Sequence, residues 1–255
     1  MIVDKEIVDE TNSVPLQGLG VFYTPETPST NTLLWEMLRR EPLVEGFVVY
    51  TDFQSAGKGQ TGNTWEAEQG KNLLFSMLLY PQRIPTDELF LISQIVSLAI
   101  KNTLDKYTND IEVKWPNDIY WKEKKLAGIL IENSFQANKI KTVIGIGLNV
   151  NQKTFRSDVP NPVSLRQITG RSFNRKKLLK AISNNIQEIY RELNTDFIRS
   201  EYSRIMYRRN GFHSYKTDIE EFKAKIVTVH PDGKLELETE LGERKGFYFK
   251  EVQFI

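Results

Sequence analysis

Residues 54–65 read Gln-Ser-Ala-Gly-Lys-Gly-Gln-Thr-Gly-Asn-Thr-Trp, three glycines around one lysine. The residues immediately C-terminal to those glycines restrict the fold more than the glycines do. The spacing of Gly57, Gly59 and Gly62 satisfies a dinucleotide-binding fingerprint. That turn works only when it opens a helix whose first amides face a pyrophosphate. Here the glycines lead into polar residues 66–70 and then an apolar run, Leu73 to Tyr80, of strand length and closed by Pro81. A strand in that place excludes a doubly wound nucleotide fold. Gly57 and Gly62 also have P-loop spacing, but a P-loop continues with Lys and Ser/Thr, and this chain has Asn63-Thr64. The segment is a glycine loop between two strands, with Phe47–Thr51 entering it. It is either a plain hairpin loop or a cradle of bare amides for an anion.

The surrounding pattern is α+β. Ser29 is placed to cap the N–H groups of Asn31 or Thr32 at the start of a helix running to about Arg40. Pro85-Thr86-Asp87-Glu88 reads as a second helix start. Leu89, Ile92, Val96, Ala99, Ile100 and Leu104 then keep helical spacing. Strands come next over 111–114, 118–121, 125–132 and 139–149, the second and third flanking a Lys122-Glu123-Lys124 turn. Residues 174–193 and 195–208 read as helices. After Asn210-Gly211 the period becomes two, with strands over 223–230, 234–239 and 244–249 separated by Pro231-Asp232-Gly233 and Leu241-Gly242-Glu243. These periods predict a mixed, largely antiparallel sheet with helices over 1–210. They place a small β barrel over 211–255, too small to stand without docking or closure.

Composition removes several function classes. Thirty-four Lys+Arg against 33 Asp+Glu leave a net charge of +1, so there is no bulk electrostatic case for nucleic acid. The chain has no cysteine, which excludes disulfides, thiolate metal sites and a Cys nucleophile, and is compatible with a cytoplasmic setting. The polar, acidic first ten residues do not form a signal peptide, and no run reaches the roughly 20 apolar residues of a membrane span. With only His213 and His230, a histidine metal site or a Ser-His-Asp triad is not expected.

Three further segments carry chemistry. Lys114-Trp115-Pro116-Asn117-Asp118 puts a cation at a strand end stopped by Trp-Pro. On its own it is also readable as a strand-terminating turn with an exposed lysine. Lys125-Leu126-Ala127-Gly128-Ile129-Leu130 has a glycine inside an apolar strand, which marks either a bulge or the close approach of a ligand. Gly145-Ile146-Gly147-Leu148-Asn149 ends the next strand with two glycines and an amide, either a turn residue or a contact to purine or ribose.

Taken in order, these segments resemble the biotin–protein ligases. The family's N-terminal motif is matched by Ser29-Thr30-Asn31, and the resemblance runs from about residue 27 to the C-terminus. It implies a class II synthetase-like sheet succeeded by an SH3-like barrel. It also implies a reaction in which biotin and ATP give biotinyl-5′-AMP, whose acyl group then passes to a lysine of a biotin carboxyl carrier protein domain. Joining a carboxylate to an α-phosphate asks for cations and N–H groups rather than for acids and bases. By resemblance, Lys114 lies between the two anions, and Lys58 with the amides of Gly57, Gly59 and Gly62 wraps the phosphate. Gln54, Ser29, Thr30 and Asn31 meet the ureido ring, and Gly128 leaves room for biotin. Trp65 stacks on adenine, Asn149 and Gln60 contact the adenylate, and Mg²⁺ accompanies ATP.

There are two departures from the family pattern. The family's loop usually carries more arginines, where this chain has Lys58, Gln60 and Asn63. The loop is therefore expected to hold the adenylate less tightly, unless Arg156, Lys71 or Arg83 substitutes. Only 28 residues precede Ser29, whereas a DNA-binding domain needs roughly 60, so no sequence-specific DNA binding is expected. A strand edge near 139–149 is a candidate for pairing with a second copy as a homodimer. The competing readings are a lipoate or octanoate ligase or transferase on the same fold, and a non-catalytic biotin sensor. A generic hydrolase lacks any nucleophile–base pair.

Overall fold

The computed structural model describes residues 20–60, 63–136, 139–156 and 161–255. Seven strands form the main sheet: β1 (Val21–Thr27), β2 (Val48–Gln54), β3 (Leu73–Leu79), β4 (Ile111–Lys114), β5 (Asp118–Trp121), β6 (Lys124–Gln136) and β7 (Lys139–Leu148). Their order is β1-β2-β3-β7-β6-β5-β4, with only β1 and β2 parallel. The sequence does not announce β1, because Pro25 interrupts its alternation. Proline is tolerated at a sheet edge, and β1 is the edge: its register skips from Thr24↔Thr51 to Glu26↔Phe53.

The helices are α1 (Thr30–Arg40), α2 (Phe90–Leu104), α3 (Leu165–Thr169), α4 (Arg175–Glu192) and α5 (Thr195–Arg204). The helix expected to start at Pro85 begins instead as a 3-10 turn over Thr86–Glu88 before α2. Strand alternation divides the core into two layers. Val48, Tyr50, Phe75, Met77, Ile144, Ile146 and Leu148 pack under α2, α4 and α5. Val49, Leu78 and Val143 face the other way, onto Leu34 and Leu38 of α1. α2 is buried on nearly every side, which explains its weak amphipathicity: it lies between the sheet, α4 and α5.

The second sheet comes wholly from residues after 211: β8 (His213–Lys216), β9 (Glu221–Val229), β10 (Leu235–Thr239), β11 (Arg244–Phe247) and β12 (Gln253–Phe254). It is antiparallel, in the order β11-β10-β9-β8-β12, as expected of a small SH3-like module. Its β9–β10 turn docks beside the main sheet, on Trp115 and Phe90. Trp115 Nε1 donates to the Gly233 carbonyl at 3.0 Å, and a Cβ on Gly233 (φ +91°) would lie 2.8 Å from the Phe90 ring.

The strand edge expected near 139–149 is open over Lys139–Lys141 alone. β7 is bonded to β6 along its length and to β3 over Thr142–Leu148. Among the described residues no helix is long and apolar enough to cross a membrane.

Candidate active site

A cavity of about 990 Å³ opens on the α1 side of the main sheet. The sequence carves it by omission. On β6 and β7 the positions facing this side include Gly128, Gly145 and Gly147, paired across the strands as Gly128↔Gly147 and Leu130↔Gly145. Alternate positions on the opposite face stay large and buried, Ile129 and Ile146 among them. These three glycines thus leave a trough without thinning the core beneath.

The trough is filled from two sides. Asn31 of α1 lies over Gly145, where a Cβ would meet its Oδ1 at 2.4 Å. Asn31 Nδ2 donates to Glu132 Oε2 at 3.0 Å, and Ser76 Oγ donates to Asn31 Oδ1 at 2.6 Å. Trp65 covers the rest: Cβ atoms on Gly147 and Gly128 would lie 2.4 and 2.9 Å from its ring. The space over Gly128, expected for biotin, therefore holds an indole, because the bare glycine backbone is what lets a flat ring lie on the sheet.

Ser29 occupies the N-cap position of α1 with extended backbone, but its side chain makes no capping bond, contrary to expectation. Gln54, at the end of β2, does that work. Its Oε1 accepts from Thr30 N at 2.8 Å and from Thr30 Oγ1 at 3.0 Å. The carboxamide thus ties the loop entrance to the helix that carries Asn31. Gln54→Ala should cost about 1 kcal/mol of stability, the usual value of an N-cap. Gln54→Glu, which keeps the acceptor, should restore most of it. Urea unfolding of both variants measures this, and equal loss in the two would refute the capping role.

Ser29, Thr30, Asn31, Gln54, Lys58, Gly59, Gln60, Trp65, Lys114, Gly128 and Asn149 all line the one cavity. Gly57 lies just behind it, its carbonyl accepting from Trp65 N at 3.0 Å. Gly62 is outside the described residues. Lys58 reaches across to α1, donating to Thr32 Oγ1 at 3.1 Å. Three buried polar atoms in the lining have no hydrogen-bond partner among the described residues: Trp65 Nε1, Asn149 Oδ1 and Asp118 Oδ1, the last of which is ion-paired with Lys125 Nζ. An unmet buried donor or acceptor costs roughly 1–3 kcal/mol, so the trough is polar and unsatisfied where an adenylate is expected.

Lys114 ends β4 at the cavity wall, paired across the hairpin with Asp118 in register. Its Nζ lies 3.3 Å from Tyr120 Oη and faces the rings of Tyr120 (4.9 Å), Phe254 (5.5 Å) and Tyr207 (5.9 Å). Burial holds its pKa below the ordinary lysine value. Asp118 and Glu123 oppose that shift, and Arg208 and Lys125 reinforce it. Asp118 is committed elsewhere, to Lys125 Nζ at 2.8 Å. The ammonium is thus part-buried and carries no ion pair among the described residues.

Sequence reasoning missed several lining residues. Lys125 stands out in the sequence only as a neighbour of Gly128, yet its Nζ lies 5.7 Å from the Trp65 ring. Phe249, Lys250 and Phe254 reach the cavity from the C-terminal module, with no local signal to mark them. Of the cations that could replace the loop arginines, Lys71 and Arg156 line a neighbouring cavity of about 700 Å³ that shares Glu66 with the first. Arg83 is misassigned, since it turns away to donate to the Arg191 carbonyl at 2.8 Å. His213 and His230 sit on the second sheet, against the Asn210 carbonyl and the Glu236 carboxylate.

The site is thus a glycine-floored trough beside α1, with Lys58, Lys114 and Lys125 among its lining residues. Residues 23–149 match the sequence profile of the biotin/lipoate A/B protein ligase family. It is 30% identical over 187 residues to the bifunctional ligase/repressor BirA of Bacillus subtilis, a match that covers 71% of this chain and 56% of that protein. Biotin–protein ligase 2 of Arabidopsis thaliana is 32% identical over 149 residues, 56% of this chain and 44% of that one. The chain thus spans about half the length of these relatives. Among solved structures, a biotin protein ligase from Aquifex aeolicus in complex with biotin and ATP superposes with a TM-score of 0.76. It is 25% identical, and the match covers 92% of this chain and 99% of that one.

Proposed function

We propose that this chain is a biotin–protein ligase that activates biotin with ATP and transfers it to a lysine of a biotin carboxyl carrier protein domain. The observation that carries this reading is the Lys114 ammonium, part-buried at the cavity wall and in no ion pair among the described residues. A carboxylate oxygen of biotin attacks the α-phosphorus and the bond to pyrophosphate breaks. Both partners are anions, and Lys114 screens their repulsion as the bond forms. The acceptor amine, deprotonated as it attacks, then forms the amide, and AMP leaves with the electron pair.

Support for the two subsites differs. Ser29, Thr30, Asn31 and Gln54 gather at the α1 end, where the ureido ring needs donors and acceptors fixed in direction. Trp65 Nε1 and Asn149 Oδ1 are the unmet groups assigned to the nucleotide side. Lys58 adds a cation to the same space, standing in for the arginines absent at Gln60 and Asn63. Among the described residues no three His, Asp or Glu side chains gather into a metal cage. Mg²⁺ is expected to accompany the phosphates of ATP. The working compartment is the cytoplasm, where carrier and ATP are both available.

Incubation with ATP, a carrier domain and one acid at a time tests the reading by mass shift of the acceptor lysine and by pyrophosphate release. Loading with biotin and not with lipoate or octanoate is expected. Loading with lipoate or octanoate instead would replace the substrate. Biotin binding without pyrophosphate release would make the chain a sensor.

A further inference from the structure

The geometry points to Phe254, on the last strand of the C-terminal module, and Tyr207 as positioning residues that hold the Lys114 ammonium in an aromatic cage. This rests on the assignment of Lys114 in the proposed reaction.

Three aromatic rings face Lys114 Nζ within 6 Å, and they come from three separate parts of the chain. Tyr120 belongs to β5 of the same hairpin. Tyr207 lies just beyond α5 and is held beside β4 by main-chain bonds, Val113 N to the Ile205 carbonyl and Tyr207 N to the Val113 carbonyl, each 2.9 Å. Phe254 arrives from β12, in register with Tyr215 of β8 and edge-on to its ring at 5.0 Å. Arg208 fastens this corner: Nη1 donates to the Ile255 main-chain oxygen at 2.7 Å and Nε to Tyr207 Oη at 3.1 Å. Tyr207 Oη in turn donates to Glu123.

A cage of rings does something a salt bridge cannot. The quadrupoles attract the cation and fix its direction, yet they leave its charge available to incoming anions. A carboxylate in the same place would cancel it. The nearest carboxylate, Asp118, is bonded to Lys125, and Glu123 is bonded to Tyr207. The lysine is thus pre-aimed at the reacting oxygens and needs no reorganisation when they arrive. The C-terminal module thereby completes the catalytic wall.

The test uses the full chain. Phe254→Leu keeps an apolar side chain but loses the π face, and Phe254→Tyr keeps the ring. Phe254→Leu should lower kcat for biotinyl-AMP formation about three- to tenfold with KM for biotin and ATP nearly unchanged. It should also move the alkaline limb of the pH–rate profile to lower pH, because the cation loses an attraction while staying buried. The groups facing Lys114, namely Asp118, Glu123, Lys125, Arg208, Tyr120 and Tyr207, are unchanged in that variant, so the shift reports the ring. Phe254→Tyr should restore both. A Phe254→Leu enzyme with wild-type kcat and pH profile, or a Phe254→Tyr enzyme equally impaired, would overturn the cage while leaving the ligase reading intact. A wild-type chain that forms no adenylate would overturn the ligase reading and the cage's role together.

Discussion

Lys114→Ala should reduce the rate of biotinyl-AMP formation by about 10²–10³-fold, the usual loss when one preorganised donor to a developing anion is removed. The fold should survive, because the deleted group is a part-buried charge without an ion pair among the described residues. Stability is expected to stay within about 1 kcal/mol of wild type, since loss of the aromatic contacts is offset by relief of desolvation. Biotin-dependent exchange of pyrophosphate into ATP measures the first half-reaction alone and separates it from transfer. Lys114→Arg retains charge, but its planar guanidinium does not fit a site shaped around a compact ammonium, so partial activity is expected. A Lys114→Ala protein within tenfold of wild-type exchange would remove this lysine from the chemistry. The two neighbouring lysines, Lys58 and Lys125, would then be the groups to test.

The second large effect concerns stability. Trp115→Ala should destabilise the protein by about 3–5 kcal/mol, the range for deleting a buried aromatic side chain. Trp115 is almost wholly buried, and its indole bonds the Gly233 carbonyl of the β9–β10 turn. It is thus a joint between the main sheet and the C-terminal module as well as a core residue. Trp115→Phe retains most of the packing and strips only the donor. It should cost about 1–3 kcal/mol, because the Gly233 carbonyl is left unmet. Chemical denaturation of both variants gives the comparison. If the two cost the same, the hydrogen bond carries the joint. If Trp115→Ala costs less than about 1 kcal/mol, the module does not depend on this contact. Because Trp115 directly succeeds Lys114, the alanine variant should also lose adenylation. Thermal unfolding measured beside pyrophosphate exchange would show the two losses together.

The strands and helices that build the trough are legible in the sequence where their period is clean. β3 is seven residues, apolar but for Ser76, β7 alternates glycine with isoleucine, and α4 keeps one apolar side. β1 is hidden by Pro25, which only its edge position makes acceptable. The five-residue helix α3 also escapes a reading by periodicity, although its Ser164–Gln167 capping box is written in the sequence. Local chemistry misleads in two places. Ser29 is a good capping residue by type, but Gln54 takes the bond to Thr30 from 24 positions away. The edge near 139–149 is mostly covered by β3, which the sequence does not show because a strand's partners are not visible in its own residues.

The sequence by itself determined the fold class, the glycine trough and the lysine at the end of β4. Each depends on short-range periodicity or on a residue type whose backbone effect is local. Only the tertiary structure decided what covers the trough and what holds the lysine. Trp65 lying on Gly128 and Gly147, Asp118 taken by Lys125, and Phe254 brought from the far end of the chain to Lys114 are all meetings between distant segments. Such meetings come from sheet order and domain docking, which set many weak contacts at once and leave no mark on any one stretch of residues.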